Sequence, residues 1–120
     1  MLAKNEERVI LQIAIQQNIS VDSSRSALSQ VCEQQGYVLE SNVLRQIKDL
    51  IDTFAGNDGK IDEKEYKDAV TTCKKACQGK RNDVQCKKMV LEVIEDNAFK
   101  VKTGMFSNWH ARERKDVGMA

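Results

Sequence analysis

Hydrophobic residues in this chain recur mostly at the three- and four-residue spacing of helices. The pattern is clearest on either side of the short stretch 55–59, in two stripes spaced i, i+3, i+4 and i+7. The stripes are Ile47, Leu50, Ile51 and Phe54 before the stretch, and Tyr66, Ala69, Val70, Cys73, Ala76 and Cys77 after it. The stretch itself, AGNDG, has the composition of a turn. Asp62 and Glu65 have the spacing of a capping box, which predicts that the helix after this stretch begins at Asp62.

The same criteria predict helices along the remainder of the chain. They are expected over 4–17, 23–35, 42–54 and 62–78, with a fifth from Asn82 or Asp83 and a short sixth over 107–115. Expected N-caps are Asp22, Ser23 or Ser24 for the second helix, Ser41 for the third and Ser107 for the last, while Gly36 and Gly79 end helices. The expected apolar faces carry Val9, Ile10, Ile13 and Ala14, then Ala27, Leu28, Val31 and Cys32, and in the fifth helix Cys86, Met89, Val90, Val93 and Ile94. The run VILQIAI also fits a strand, although its polar flanks favour a helix.

Composition narrows the class of protein. The chain has 120 residues, 41% of them hydrophobic, with six glycines and no proline, which favours one domain of helices joined by short turns. A near balance of 19 basic and 18 acidic residues argues against nucleic-acid binding through charge. No apolar run is long enough to span a membrane.

The loop between the two clearest helices matches an eleven-residue pattern. It begins Ala55-Gly56, has Asp58 in fourth place, Ile61 in seventh and Glu65 in eleventh. The twelve-residue calcium-loop signature does not fit, because it would place an acidic ligand where Phe54 stands. Within the segment 43–70 these residues resemble the shortened first hand of the penta-EF-hand family.

The resemblance implies a calcium site. Its ligands would be the Ala55 and Lys60 carbonyls, the Asp58 carboxylate, both oxygens of Glu65, and Asp62 through a water molecule. Ile61 would form a short backbone bridge to a partner loop. Because few carboxylates bind directly and Lys60 is positively charged, we expect a weak site, on the order of 10⁻⁴ M or weaker. The alternative is a degenerate hand that keeps the shape and binds nothing.

The layout of the first half repeats in outline. Helix, break and helix over 4–35 correspond to helix, loop and helix over 42–78, with Ile19 or Val21 in the place of Ile61.

We therefore predict an all-α single domain, 1–120, of five to six short helices. It would contain an EF-hand-like pair over 4–79 with one hand degenerate, C-terminal helices over 80–115 and a frayed tail over 116–120.

Four cysteines in so short a chain favour a secreted domain stapled by two disulfides. Cys73 and Cys77 are one turn apart on one helix face, so they are expected to have different partners. Cys77 precedes the Gly79 turn and Cys86 lies one turn into the next helix, which predicts Cys77–Cys86 and, by elimination, Cys32–Cys73. A four-cysteine zinc site is the alternative, but it lacks a C-x-x-C pair.

Secretion would require that a leader has been removed, because the first residues are charged; the alternative is a cytoplasmic protein with free thiols. Catalysis is not expected. His110 has no identifiable catalytic partner, the basic residues Arg112, Arg114 and Lys115 fit a solvated helix end, and no phosphate loop is present.

The leading interpretation is a non-enzymatic, weakly calcium-binding interaction module. It would bind a protein partner or self-associate through the hand. One alternative is a carrier of small hydrophobic ligands, since the Cys-x3-Cys and Cys-x8-Cys spacings are similar to those of insect odorant-binding-type proteins. A cytosolic calcium sensor is the other alternative.

Overall fold

A computed structural model describes residues 1–56, 58–102 and 108–119. The described residues form helices α1 (Lys4–Gln16), α2 (Val21–Gln35), α3 (Glu40–Ala55), α4 (Glu63–Ala76), α5 (Asp83–Asp96) and α6 (Trp109–Asp116), and short strands β1 (Lys60–Ile61) and β2 (Lys100–Val101). The predicted helical class is confirmed. None of the helices described is both long and apolar enough to cross a bilayer.

The helix ends follow local side-chain chemistry. Asp62 and Glu65 form the predicted capping box at the start of α4. Gly36 ends α2 in the left-handed conformation, with φ of 72°. The cap of α2 was predicted wrongly: Ser20 accepts the Ser23 amide at 3.1 Å, so α2 begins two residues earlier than expected.

Two other predicted caps have different outcomes. Helix α3 begins at Glu40, so Ser41 lies inside it rather than capping it. Ser107 lies outside the described residues, and the described cap of α6 is Asn108, which accepts the Ala111 amide at 3.4 Å.

The chain divides into two compact units, Met1–Val43 and Leu44–Ala120, with the boundary inside α3 and inside the segment 4–79. In the first unit α1 packs on α2, and Leu2 bridges Leu39. Helix α1 buries Glu7, Leu11 and Ala14. The predicted α1 face is thus only partly correct, because Ala14 is buried whereas Val9, Ile10 and Ile13 are exposed.

The second unit contains the α4–α5 hairpin, the later part of α3 and helix α6. Its core includes part of the first predicted stripe and most of the second, with Ile47, Ile51 and Tyr66 fully buried, and the whole predicted face of α5. Leu50, Phe54 and Ala76 of the predicted stripes are only half-buried. Strand β1 pairs with β2 in parallel, with Ile61 opposite Val101. The backbone bridge of Ile61 is therefore made to the strand that follows α5.

The C-terminal end of α6 closes with a left-handed glycine. Gly118 has φ of 78°, its amide donates to the Lys115 carbonyl, and the Met119 amide donates to the Arg114 carbonyl at 2.8 Å. These are the two hydrogen bonds of a Schellman motif. Residues 117–119, which fall in the tail predicted to fray, are thus hydrogen-bonded to α6.

Candidate functional site

The predicted calcium loop is a tight turn closed by its own hydrogen bonds. The Gly59 amide donates to the Ala55 carbonyl at 3.1 Å, and the Lys60 amide donates to Asp58 Oδ1 at 3.0 Å. Gly59 has φ of 67°, a conformation that glycine adopts without steric cost. The turn therefore places the Asp58 carboxylate at the surface, next to β1.

A lysine side chain forms an ion pair with the Asp58 carboxylate of this turn. Lys102, directly after β2, places Nζ 3.1 Å from Asp58 Oδ2. The hydrogen bond from the Lys60 amide lowers the pKa of Asp58, and Lys102 lowers it further. The hydrogen bond to Asp58 raises the pKa of Lys102, and the charges of Glu65 and Asp62 act in the same direction. Three carboxylates thus act electrostatically on one ammonium group.

Asp62 and Glu65 are engaged at the start of α4. Asp62 Oδ1 accepts the Glu65 amide at 2.8 Å, and Glu65 Oε1 accepts the Asp62 amide at 3.0 Å. Each carboxylate still has a second oxygen outside the capping box. The predicted ligands lie along one turn, but among the described residues their carboxylates do not form a group of three within 4.8 Å. A calcium ion would therefore have to draw them together.

The convergent donor group that the structure describes lies elsewhere, at the α4–α5 hairpin. Cys73 and Cys77 lie one turn apart at the end of α4, and Cys86 lies in the first turns of α5. Their Sγ atoms are all within 4.8 Å of one another, and all three residues are fully buried. Met89 adds a fourth sulfur, with its Sδ 4.0 Å from Cys73 Sγ.

All four cysteines are free thiols in the structure. The cysteine pairs of the cluster are 3.7–4.4 Å apart, whereas a disulfide joins sulfurs at about 2.05 Å. The structure brings Cys77 and Cys86 together, as expected, but Cys73 joins them. Cys32 lies in the first unit. Both disulfides stay predictions.

Burial disfavours the thiolate form of two cysteines of the cluster. It raises the pKa of the Cys73 thiol, and the neighbouring Cys77 and Cys86 raise it further. Burial also raises the pKa of Cys77. The Cys73 and Cys77 thiols are therefore harder to deprotonate, and so less nucleophilic, than an exposed cysteine.

The sequence contains a signal for the cluster in the spacing of its cysteines. Cys73 and Cys77 share one face of α4, and the disulfide prediction gives them two different partners. Because the turn after α4 returns the chain antiparallel, the same face meets α5, so both cysteines reach Cys86. The signal is an i, i+4 cysteine pair before a short turn and a third cysteine soon after it.

Helix α6 contacts the first turn of α4 through an aromatic pair. Trp109 is 1% exposed and its ring lies 5.1 Å from that of Tyr66. Burial raises the pKa of Tyr66, whose hydroxyl is buried without a hydrogen-bond partner among the described residues. His110 Nε2 lies 3.9 Å from Glu95.

A surface pocket of about 250 Å³ lies between α4, α5 and α6. Its lining includes Lys67, Lys74, Lys87, Asp83 and Glu113 as well as Tyr66 and Val70. A lining so rich in charge does not favour the enclosure of a small hydrophobic ligand.

Comparison of the chain with protein-family models, curated proteins and solved structures found no match.

Proposed function

We propose that this chain is a small, non-enzymatic interaction protein that binds calcium weakly at the turn between α3 and α4. The observation that carries the proposal is the Asp58 turn, where the carboxylates of Asp58, Asp62 and Glu65 act on one cation, the Lys102 ammonium. A surface that already accommodates one positive charge can accept another in exchange.

The electrostatics make the site weak. Calcium requires six to eight oxygens, and the turn offers three carboxylates and main-chain carbonyls, two of the carboxylates being shared with a capping box. The ion would also have to displace Lys102 from Asp58. Because the main chain of Lys102 is held by hydrogen bonds to Ile61 and Trp109, the side chain can leave while the backbone stays in place.

Calorimetric titration with CaCl₂ tests this exchange. We expect a dissociation constant on the order of 10⁻⁴ M or weaker for the natural chain. Lys102→Gln removes the competing charge and should tighten binding. Asp58→Asn keeps an oxygen for the Lys60 amide but removes the charge, and should abolish binding. Trp109 fluorescence gives a second readout, since its indole donates to the Lys102 carbonyl.

Lys64→Gln is the matched control, because it removes the same charge from an exposed lysine in the first turn of α4, close in sequence to Asp62 and Glu65. It should tighten binding less than Lys102→Gln does. Equal effects of the two variants would mean that Lys102 does not compete specifically. The absence of binding heat in all variants would remove calcium from the proposal.

An exposed apolar face on α1 supports the interaction role. Val9 and Ile13 are each 54% exposed and Ile10 is 39% exposed. Helical spacing places the three residues within one arc of α1 that faces away from the buried Leu11. Exposed β-branched residues grouped in this way are typical of a protein contact. The contact that we propose is isologous, between the α1 faces of two copies of the chain.

Sedimentation velocity across a concentration series tests this contact. We expect a monomer–dimer equilibrium that Ile13→Gln shifts toward monomer. Ile15→Gln is the control, since Ile15 is equally exposed at 54% but lies on another side of α1. A chain that stays monomeric at all concentrations, or an equal effect of both variants, would contradict self-association through this face.

A further inference from the structure

The cysteine cluster of the α4–α5 hairpin has the composition and dimensions of a soft-metal site. We propose that Cys73, Cys77 and Cys86 bind one Cu(I) ion, with the thioether of Met89 as an additional ligand. The site shares no residue with the acidic turn or the α1 face. A test of copper binding is therefore independent of the function proposed above.

The distances between the sulfurs are the first support. Thiolates bind d¹⁰ metals at about 2.3 Å, so three of them around one ion in a plane are about 4 Å apart. The cysteine pairs here are 3.7–4.4 Å apart, and every Sγ lies within 4.8 Å of the others. The ligands are therefore close to their bound positions before any ion enters, and little reorganisation is needed.

The kind of donor decides which metal fits. Three thiols and the Met89 thioether, 4.0 Å from Cys73 Sγ, form an all-sulfur set that favours Cu(I). Zinc would need a fourth nitrogen, oxygen or thiolate ligand. Within the described part of the chain, no further Cys, His, Asp or Glu joins the group. Since the three cysteines are fully buried, water is a poor substitute for that ligand.

Charge around the hairpin fits an anionic metal–thiolate centre. Each thiol that binds replaces its S–H bond with an S–Cu bond and releases its proton to solvent, so the occupied site is negatively charged. The segment 74–88 has six basic residues and only one acidic residue, Asp83. The basic hairpin therefore compensates for charge that three thiolates would bring into the core.

The turn between the helices provides a route of entry. Residues 78–80 are exposed, and Gln78 and Gly79 are both left-handed, with φ of 52° and 77°. Cys77 ends α4 directly before this turn, and Asn82 caps α5 directly after it. Opening of the turn would expose the cluster without separating the two helices along their length.

Anaerobic titration of the reduced full chain with Cu(I), in competition with bicinchoninate, tests the proposal. Native mass spectrometry should show one copper per chain, with one proton lost for each thiolate bound. Cys73→Ser, Cys77→Ser and Cys86→Ser should each weaken binding by about tenfold or more. Cys32→Ser, which removes the buried cysteine of the first unit, should leave affinity unchanged.

Met89→Leu provides a variant that conserves core volume and should keep the fold. It should weaken Cu(I) binding, while circular dichroism stays that of the natural chain. A natural chain that binds no copper in this competition, or that loses as much affinity with Cys32→Ser as with the cluster variants, would overturn the site. So would Cu(I) binding that persists when all three cluster cysteines are replaced by serine.

Discussion

The indole N–H of Trp109 donates a 2.7 Å hydrogen bond to the main-chain carbonyl of Lys102. The amide of Lys102 donates in turn to the Ile61 carbonyl at 2.7 Å, and its ammonium group pairs with Asp58. One residue thus links β1, the acidic turn and α6. The arrangement ties the geometry of the proposed calcium turn to a buried aromatic contact, because Trp109 also packs on Tyr66.

Trp109→Phe should destabilise the protein by about 2–3 kcal/mol. The change removes the donor to the Lys102 carbonyl and part of a ring that is only 1% exposed. Urea unfolding followed by circular dichroism measures the loss. Tyr37→Phe is the control, because Tyr37 is 59% exposed, and it should change stability by less than about 0.5 kcal/mol. Similar losses in both variants would mean that Trp109 is not anchored as described.

Ser20→Ala should cost about 1 kcal/mol, since it removes the side-chain oxygen that accepts the Ser23 amide in the first turn of α2. Ser23→Ala is the matched control. Ser23 contributes its backbone amide to the cap rather than its side chain, so its replacement should be nearly neutral. Thermal melts of the two variants distinguish Ser20 from the cap expected from sequence. A larger effect at Ser23 would reverse the assignment.

Sequence periodicity predicted the second unit better than the first for a physical reason. In α3, α4 and α5 the apolar residues occupy one stripe, so only one orientation buries them, and those stripes include the core residues Ile51, Tyr66 and Val90. The run VILQIAI in α1 is apolar almost all round. It therefore does not define a unique face, and the structure buries Leu11 and Ala14 while exposing Ile13.

In the candidate sites, contacts between residues close in sequence were predictable, whereas contacts between distant residues were not. The capping box of Asp62 and Glu65 depends on residues three apart and was predicted correctly. Lys102 lies 44 positions beyond Asp58, in a segment without periodicity, so nothing local indicated their pairing. The convergence of Cys73 with Cys86 likewise depends on how the hairpin closes.

Val90→Ala should destabilise the protein by about 2 kcal/mol, because it removes two methyl groups from a fully buried position of α5. Val84→Ala makes the same chemical change on the same helix at a residue that is 49% exposed. It should be neutral within about 0.5 kcal/mol, since alanine is the better helix former. Denaturant midpoints measure both variants, and equal shifts would contradict the assigned orientation of α5.

Acid should remove a small part of the stability through Asp83. Hydrogen bonding to Lys74 lowers the pKa of Asp83, and Lys87 lowers it further at 3.3 Å. A carboxyl group whose pKa is lower in the folded state stabilises the fold above its unfolded pKa of about 3.9, and loses that effect as pH falls through the folded value. Because its side chain is 49% exposed, the contribution should be only about 0.5 kcal/mol.

Asp83→Asn should therefore be destabilised relative to the natural chain at about pH 6, and the difference should vanish near about pH 2.5. Asp68→Asn, on an exposed aspartate of α4 without a salt bridge among the described residues, is the control and should change stability at about pH 6 by less than Asp83→Asn does. A constant gap between Asp83→Asn and the natural chain across this range would show that the carboxylate does not act through its charge.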